Sequence, residues 1–148
     1  MDNAEFLNNV LVFANSNPVC HLATIDGDQP HVRGMLMWFA DETGFYFHTG
    51  SSKKLATQLN NGVKASIAFL KATGNPAETQ ELRVTGLIEI LDDKALETRL
   101  SQERPWILEN RKAAPEANVI VFKVCKGDAF IWNMSVNMRE HTAQRVTI

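Results

Sequence analysis

The stretch "ELRVTGLIEIL", Glu81–Leu91, decides the class of fold. Leu82, Val84, Gly86, Ile88 and Ile90 recur at every second residue, and Glu81, Arg83, Thr85 and Glu89 fall between them. A period of two marks a strand with one face in a core and the other toward water. The same texture extends in both directions. "VCHLATI" leads into Asp26-Gly27-Asp28, a hairpin signal, and then into "PHVRGMLMWFA". In that second strand Val32, Gly34, Leu36 and Trp38 point one way, and His31, Arg33, Met35 and Met37 the other. "DETG" turns into "FYFHT", "VKASIAFL" follows, "KATGNPAET" is a loop, and "NVIVFKV" and "AFIWNM" are late strands separated by Lys126-Gly127-Asp128.

Three helices interrupt this series. Asp2 and Glu5 form a capping pattern ahead of Phe6, Leu7, Val10, Leu11 and Ala14, which repeat at helical spacing up to Asn17-Pro18. A short helix is expected in "HTGSSKKLATQLNNG", His48–Gly62, capped by Ser51 or Ser52 and closed by Gly62. A third starts near Asp92 or Asp93 and runs through "KALETRLSQE" to Pro105. Six or seven consecutive strands with three helices between them predict a mostly β fold, an antiparallel barrel with peripheral helices, in a single domain over residues 1–148.

Composition narrows the function. The chain has 148 residues, 45% hydrophobic and 22% charged, with a net charge of -2, so there is no general pull toward nucleic acid or an anionic membrane, and any anion site is local. No apolar run reaches the roughly 20 residues of a membrane span. The N-terminus "MDNAEFLNNVLVF" has acidic residues and no basic region, unlike a signal peptide, so a cytoplasmic protein is expected. Cys20 and Cys125 read as two free thiols, with one disulfide as the alternative.

Lys53 and Lys54 stand in the first turn of the expected short helix, where the backbone dipole disfavours cations. With Ser51 and Ser52 they make either an anion site or ordinary surface charge. Arg33 lies on a strand among apolar neighbours and needs either a carboxylate, with Glu81 or Glu89 in reach, or a phosphate. His21, His31, His48 and His141 lack metal-ligand spacing. His48, ending a strand before a glycine turn, is the one candidate for catalysis, beside the plainer reading of a half-buried strand residue. Met35, Met37, Trp38, Trp106 and Trp132 suit either a flat ligand or a core. There is no nucleophile elbow, Walker loop or dinucleotide glycine motif.

The ordered set "ATIDGDQPHVRGMLMWF", "GFYFHTGSSKKLATQL" and "ELRVTG" resembles the pyridoxamine 5′-phosphate oxidase-like family of FMN-binding split barrels, over roughly Pro18 to Leu91. The resemblance implies a flavoprotein oxidoreductase with FMN as cofactor. By position it implies Arg33, Ser52, Lys53 and Lys54 at the FMN phosphate. Gly34, Met35, Leu36 and Met37 would run along the isoalloxazine, and His48 and Thr49 would touch the flavin from the next strand. It also implies a homodimer with FMN at the interface, to which Gln58, Trp132 and Asn133 of a second chain are candidate contributors.

The chain departs from the family at two places. Glu81, with Gln80 beside it, stands where a glutamine is usual, and "NMREHTAQRVTI", with Arg139 and His141, does not match the family's Arg-Leu-His-Asp-Arg segment. The fold and the FMN site therefore carry over, and the vitamin B6 activity does not. The rival reading is a non-catalytic protein that binds FMN or another planar cofactor, a deazaflavin or haem. The segment from 92 to 118, where the resemblance fades, is read as packing on the barrel.

Overall fold

A computed structural model describes residues 1–148. Eight strands form one antiparallel sheet: β1 Val19–Asp26, β2 Gln29–Leu36, β3 Phe39–Asp41, β4 Gly44–Gly50, β5 Lys64–Lys71, β6 Gln80–Leu91, β7 Val119–Trp132 and β8 Arg145–Thr147. Four helices accompany them: α1 Asn3–Ser16, α2 Lys54–Gln58, α3 Lys94–Glu103 and α4 Trp106–Ala113. The hydrogen-bonded order is β2-β1-β5-β6-β7-β4-β3, with β8 added to β7. β2 and β3 are thus the two ends of the sheet, yet only Met37 and Trp38 separate them in sequence. The sheet must curl until its ends meet, giving a barrel with an open seam. At one end of that seam Trp38 N–H donates to the Tyr46 carbonyl at 2.9 Å; toward the other, α2 packs between β1 and β4.

The alternation in the sequence is realised inside this barrel. Leu22, Phe45, Phe47, Ile67, Phe69, Leu82, Val84 and Phe122 are almost fully buried, and α1 adds Phe6, Val10, Phe13 and Ala14 to the same core. The Asp2 carboxylate accepts from Glu5 N–H at 2.8 Å, the cap expected for α1. Asp93 caps α3 in the same way. A second, smaller cluster of Leu100, Ile107 and Val121 holds α3 and α4 against the outer face of β7.

Four expectations need correction. Lys126-Gly127-Asp128 is not a turn: β7 runs through it, and the glycine signal marks a bulge where Gly86 of β6 faces two residues. Lys126 takes a positive φ of 56° there, and a methyl on Gly127 would overlap the Thr85 carbonyl. The strand through "PHVRGMLMWFA" breaks at Met37-Trp38 into β2 and β3, because the chain must cross the seam. α4 is a fourth helix, inside the segment read only as packing. Finally, α2 is five residues long with Lys53 as its uncapped N-cap, and it ends before Leu59 rather than at Gly62.

Candidate functional site

Ser51 does not cap α2, because it is committed elsewhere. Its Oγ accepts from Asn118 N–H and its own N–H donates to the Asn118 carbonyl, both at 2.8 Å, which pins the Gly50–Lys53 turn to the start of β7. So short a helix has little dipole, and the lysines are not placed by it. What they share instead is the seam.

Arg33 reaches the seam from the inward-facing side of β2. Its guanidinium donates to the Leu22 carbonyl at 3.1 Å, to Thr24 Oγ1 at 2.7 Å and to Gln58 Oε1 at 2.8 Å. All three partners are neutral. Glu81 is paired with Arg83 at 3.0 Å, and Glu89 accepts from the Cys125 thiol at 3.5 Å, so neither carboxylate answers Arg33. The Gln58 amide is oriented by this contact, since only its oxygen can face a guanidinium and the Thr24 hydroxyl together. Its nitrogen is left buried without a partner, and such an orphaned donor is uncommon in a folded chain. Burial also lowers the Arg33 pKa. Lys54 lies one turn from Gln58 on the same helix face, hence on the Arg33 side of the seam.

A second cluster forms on the outer face of β4. Arg104, at the C-terminal end of α3, is buried and donates to the Leu36 carbonyl at 3.2 Å, to the Met37 carbonyl at 2.6 Å and to His48 Nε2 at 2.8 Å. It therefore clamps the end of β2 to the end of β4 across the seam. Because a guanidinium can only donate, Nε2 of His48 accepts, and the ring proton sits on Nδ1. Burial first, then the charges of Arg104 and Lys53, pushes the His48 pKa down to about 4, so the ring is neutral at ordinary pH. α3 is anchored further by Arg99, stacked over Trp38 and Phe39, and by the Trp38 indole N–H donating to Glu103 at 3.3 Å.

Between these clusters runs β2, the edge strand. From Arg33 to Leu36 it spans about 10 Å, at roughly 3.3 Å per residue. Gly34 and Leu36 are exposed, and a methyl on Gly34 would meet nothing within 4 Å, so the chain's own packing does not require glycine there. Met35 is half-buried, whereas Met37 and Thr49 are buried in the interior and can offer a ligand only their backbone. Ser52, Lys53 and Lys54 are exposed. His48, Thr49, Ser52 and Lys53 share a cavity of about 270 Å³ with Arg111 of α4. No carboxylate ion pair engages Arg33, Lys53, Lys54, Arg104 or Arg111.

Other expected residues are elsewhere. Gln58 is buried inside its own chain's seam, with its oxygen turned to Arg33 and Thr24. Trp132 ends β7, four strand positions from β2, and Asn133 caps a short 3₁₀ turn through Ser135. Arg139 bonds the Ser135 carbonyl, and His141 is exposed on the following turn. Arg104 escaped the sequence reading; its only signal is an arginine placed directly before the helix-ending Pro105. Cys20 and Cys125 are both buried and free, and burial pushes the Cys20 thiol to about 12. No helix is long and apolar enough to cross a membrane.

Against known families, the sequence model described as pyridoxamine 5′-phosphate oxidase matches residues 6–129. Among curated proteins nothing matches. Solved structures share the fold at low identity. A NimC/NimA family protein from Clostridium acetobutylicum is 22% identical, covers 97% of this chain and 94% of its own, and superposes with a TM-score of 0.72. A protein from the same organism, related to general stress protein 26 of B. subtilis, is 18% identical over 100% and 97% of the two chains, with a TM-score of 0.71. The FAD binding protein from Mycobacterium smegmatis is 12% identical over 86% and 95%, with a TM-score of 0.63.

Proposed function

We propose that this chain, which belongs to the pyridoxamine 5′-phosphate oxidase family, is an FMN-dependent oxidoreductase that binds its flavin noncovalently in the seam of the split barrel. The observation that carries the reading is Arg33: a half-buried guanidinium held by three neutral groups, with no counter-charge, beside a helix that begins with two free lysines. A buried cation without a carboxylate is costly, and a phosphate dianion removes the cost. The residues fit FMN along its length. Arg33, Ser52, Lys53 and Lys54 face the phosphate; the open backbone of β2 from Gly34 to Met37 faces the ring; His48 and Thr49 close its far side.

FMN, when bound, supplies the redox chemistry; the protein binds and orients it. His48 contributes a neutral N–H donor at Nδ1, and Arg104 keeps that ring fixed. Two chains would form a homodimer with the flavin between them. Its contact surface is the outer face of β1, β2 and β5, where Val19, Val32, Leu36 and Leu70 are exposed at 45 to 70%. Apolar groups gathered in this way mark interaction surfaces.

A second reading, a flavin carrier without turnover, is favoured by one feature. No carboxylate bonds Arg33 or His48, and the His48 ring is neutral and tied to Arg104, so an obvious proton-transfer group beside the proposed flavin is missing. Haem ranks below FMN, because His48 Nε2 is already bonded to Arg104. The deciding experiment is a visible spectrum of the purified protein, with mass spectrometry of what heating releases. A flavin spectrum and the mass of FMN support the reading, and oxidation of a nicotinamide donor then separates enzyme from carrier. A protein that stays colourless after FMN is added overturns both.

A further inference from the structure

The cleft between α3 and α4, against the start of β7, is a separate cavity of about 360 Å³. None of the residues given to the flavin lines it. Its apolar lining includes Leu100, Ile107 and Val119. Leu100 and Ile107 belong to the cluster that holds both helices to β7, and buried Arg104 fixes the corner between them, so the walls are set in place.

Opposite charges stand on opposite walls. On α3, Glu97 engages only Oε2, which accepts from Lys94 at 3.1 Å, and its Oε1 is free. The Lys94 side chain is 88% exposed and that of Glu97 only 38%, so the lysine lies out in water and the carboxylate belongs to the cleft. A pair so exposed is weakly held and exchanges partners at little cost. On α4, Arg111 is paired with nothing, whereas Lys112 beside it is paired with Glu109 at 2.8 Å. Asn118 is tied to Ser51 through its backbone N–H and carbonyl, both at 2.8 Å, which leaves its carboxamide free. A simple anion would suit Arg111 but not Glu97, and a simple cation the reverse. A ligand that carries both charges suits both.

We propose that this cleft binds an α-amino acid with an apolar side chain. Its ammonium lies on Glu97, its carboxylate on the fork of Arg111 with Asn118 beside it, and its side chain on Leu100, Ile107 and Val119. The volume of about 360 Å³ admits a side chain of one ring. The site does not rest on the flavin reading.

L-Phenylalanine is the probe, titrated by calorimetry at constant ionic strength into the protein without added flavin. Hydrocinnamate lacks its ammonium and phenethylamine lacks its carboxylate. The expected result is saturable binding of phenylalanine and about tenfold weaker binding of either analogue. Glu97→Gln should weaken phenylalanine about tenfold and leave hydrocinnamate unchanged; Arg111→Gln should weaken phenylalanine equally and leave phenethylamine unchanged. Absence of phenylalanine binding, equal affinity for all three probes, or phenylalanine affinity unchanged in either variant overturns the proposal. FMN titrations of the same proteins keep the readings apart. A fall in FMN affinity in Arg111→Gln, with phenylalanine binding intact, would assign Arg111 to the flavin and overturn the amino-acid site. Failure of the wild type to bind FMN would sink the flavoprotein and leave this site standing.

Discussion

Replacing His48 by glutamine tests the clamp between β2 and β4 through its pH dependence. The folded protein holds the imidazole at a pKa of about 4, against an ordinary value of 6.5. The unfolded chain therefore takes up a proton below about pH 6.5, and the folded one does not until near pH 4. Stability from this group is complete above pH 6.5 and is lost as the pH falls toward 4. At about 1.4 kcal/mol per pH unit the whole window amounts to about 3 kcal/mol, and the partial exposure of the ring brings it to about 2 kcal/mol. Glutamine still presents an oxygen to Arg104 but does not titrate. Urea unfolding of both proteins at pH about 7.5 and about 4.5 isolates the effect, because the carboxylates they share cancel in the difference. The gap between them should move by about 2 kcal/mol in favour of the variant at the lower pH. A gap that stays constant, or an imidazole nitrogen resonance that titrates near 6.5, would refute the reasoning.

Arg33→Met should change the stability of the flavin-free protein by less than about 1 kcal/mol, since losing three neutral partners offsets the burial of an uncompensated charge; FMN affinity should fall more than about tenfold, and a large loss of stability instead would make Arg33 a structural residue. Gly127→Ala forces a methyl into the Thr85 carbonyl and should cost more than about 3 kcal/mol or abolish folding, whereas Gly34→Ala, which meets open space, should leave urea unfolding unchanged and weaken flavin binding. Val32→Asp places a charge in the exposed apolar face of β1, β2 and β5, and light scattering should shift from twice the 16.6 kDa chain mass to one chain.

What was legible in the sequence was whatever a local pattern determines. The period of two in Glu81–Leu91 returns as the burial of Leu82, Val84 and Ile88, and the Asp2–Glu5 spacing returns as a bond of 2.8 Å. Arg33 announced itself because a strand places its neighbours, and so exposes its need for a partner. The bulge was misread because glycine before aspartate favours a turn locally. What requires glycine is the approach of β6, whose Gly86 lies 40 residues or more away in sequence. Arg104 was invisible for a related reason. It sits in a charged helix that reads as solvent-facing, and its three partners are the carbonyls of Leu36 and Met37 and the ring of His48, between 56 and 68 residues distant. Two of those partners are backbone atoms, which carry no residue identity for a sequence to display. A site built from backbone acceptors at a barrel seam is defined by how the sheet closes. Its cations can therefore be recognised one by one, but their division between the two sides of the seam depends on the fold.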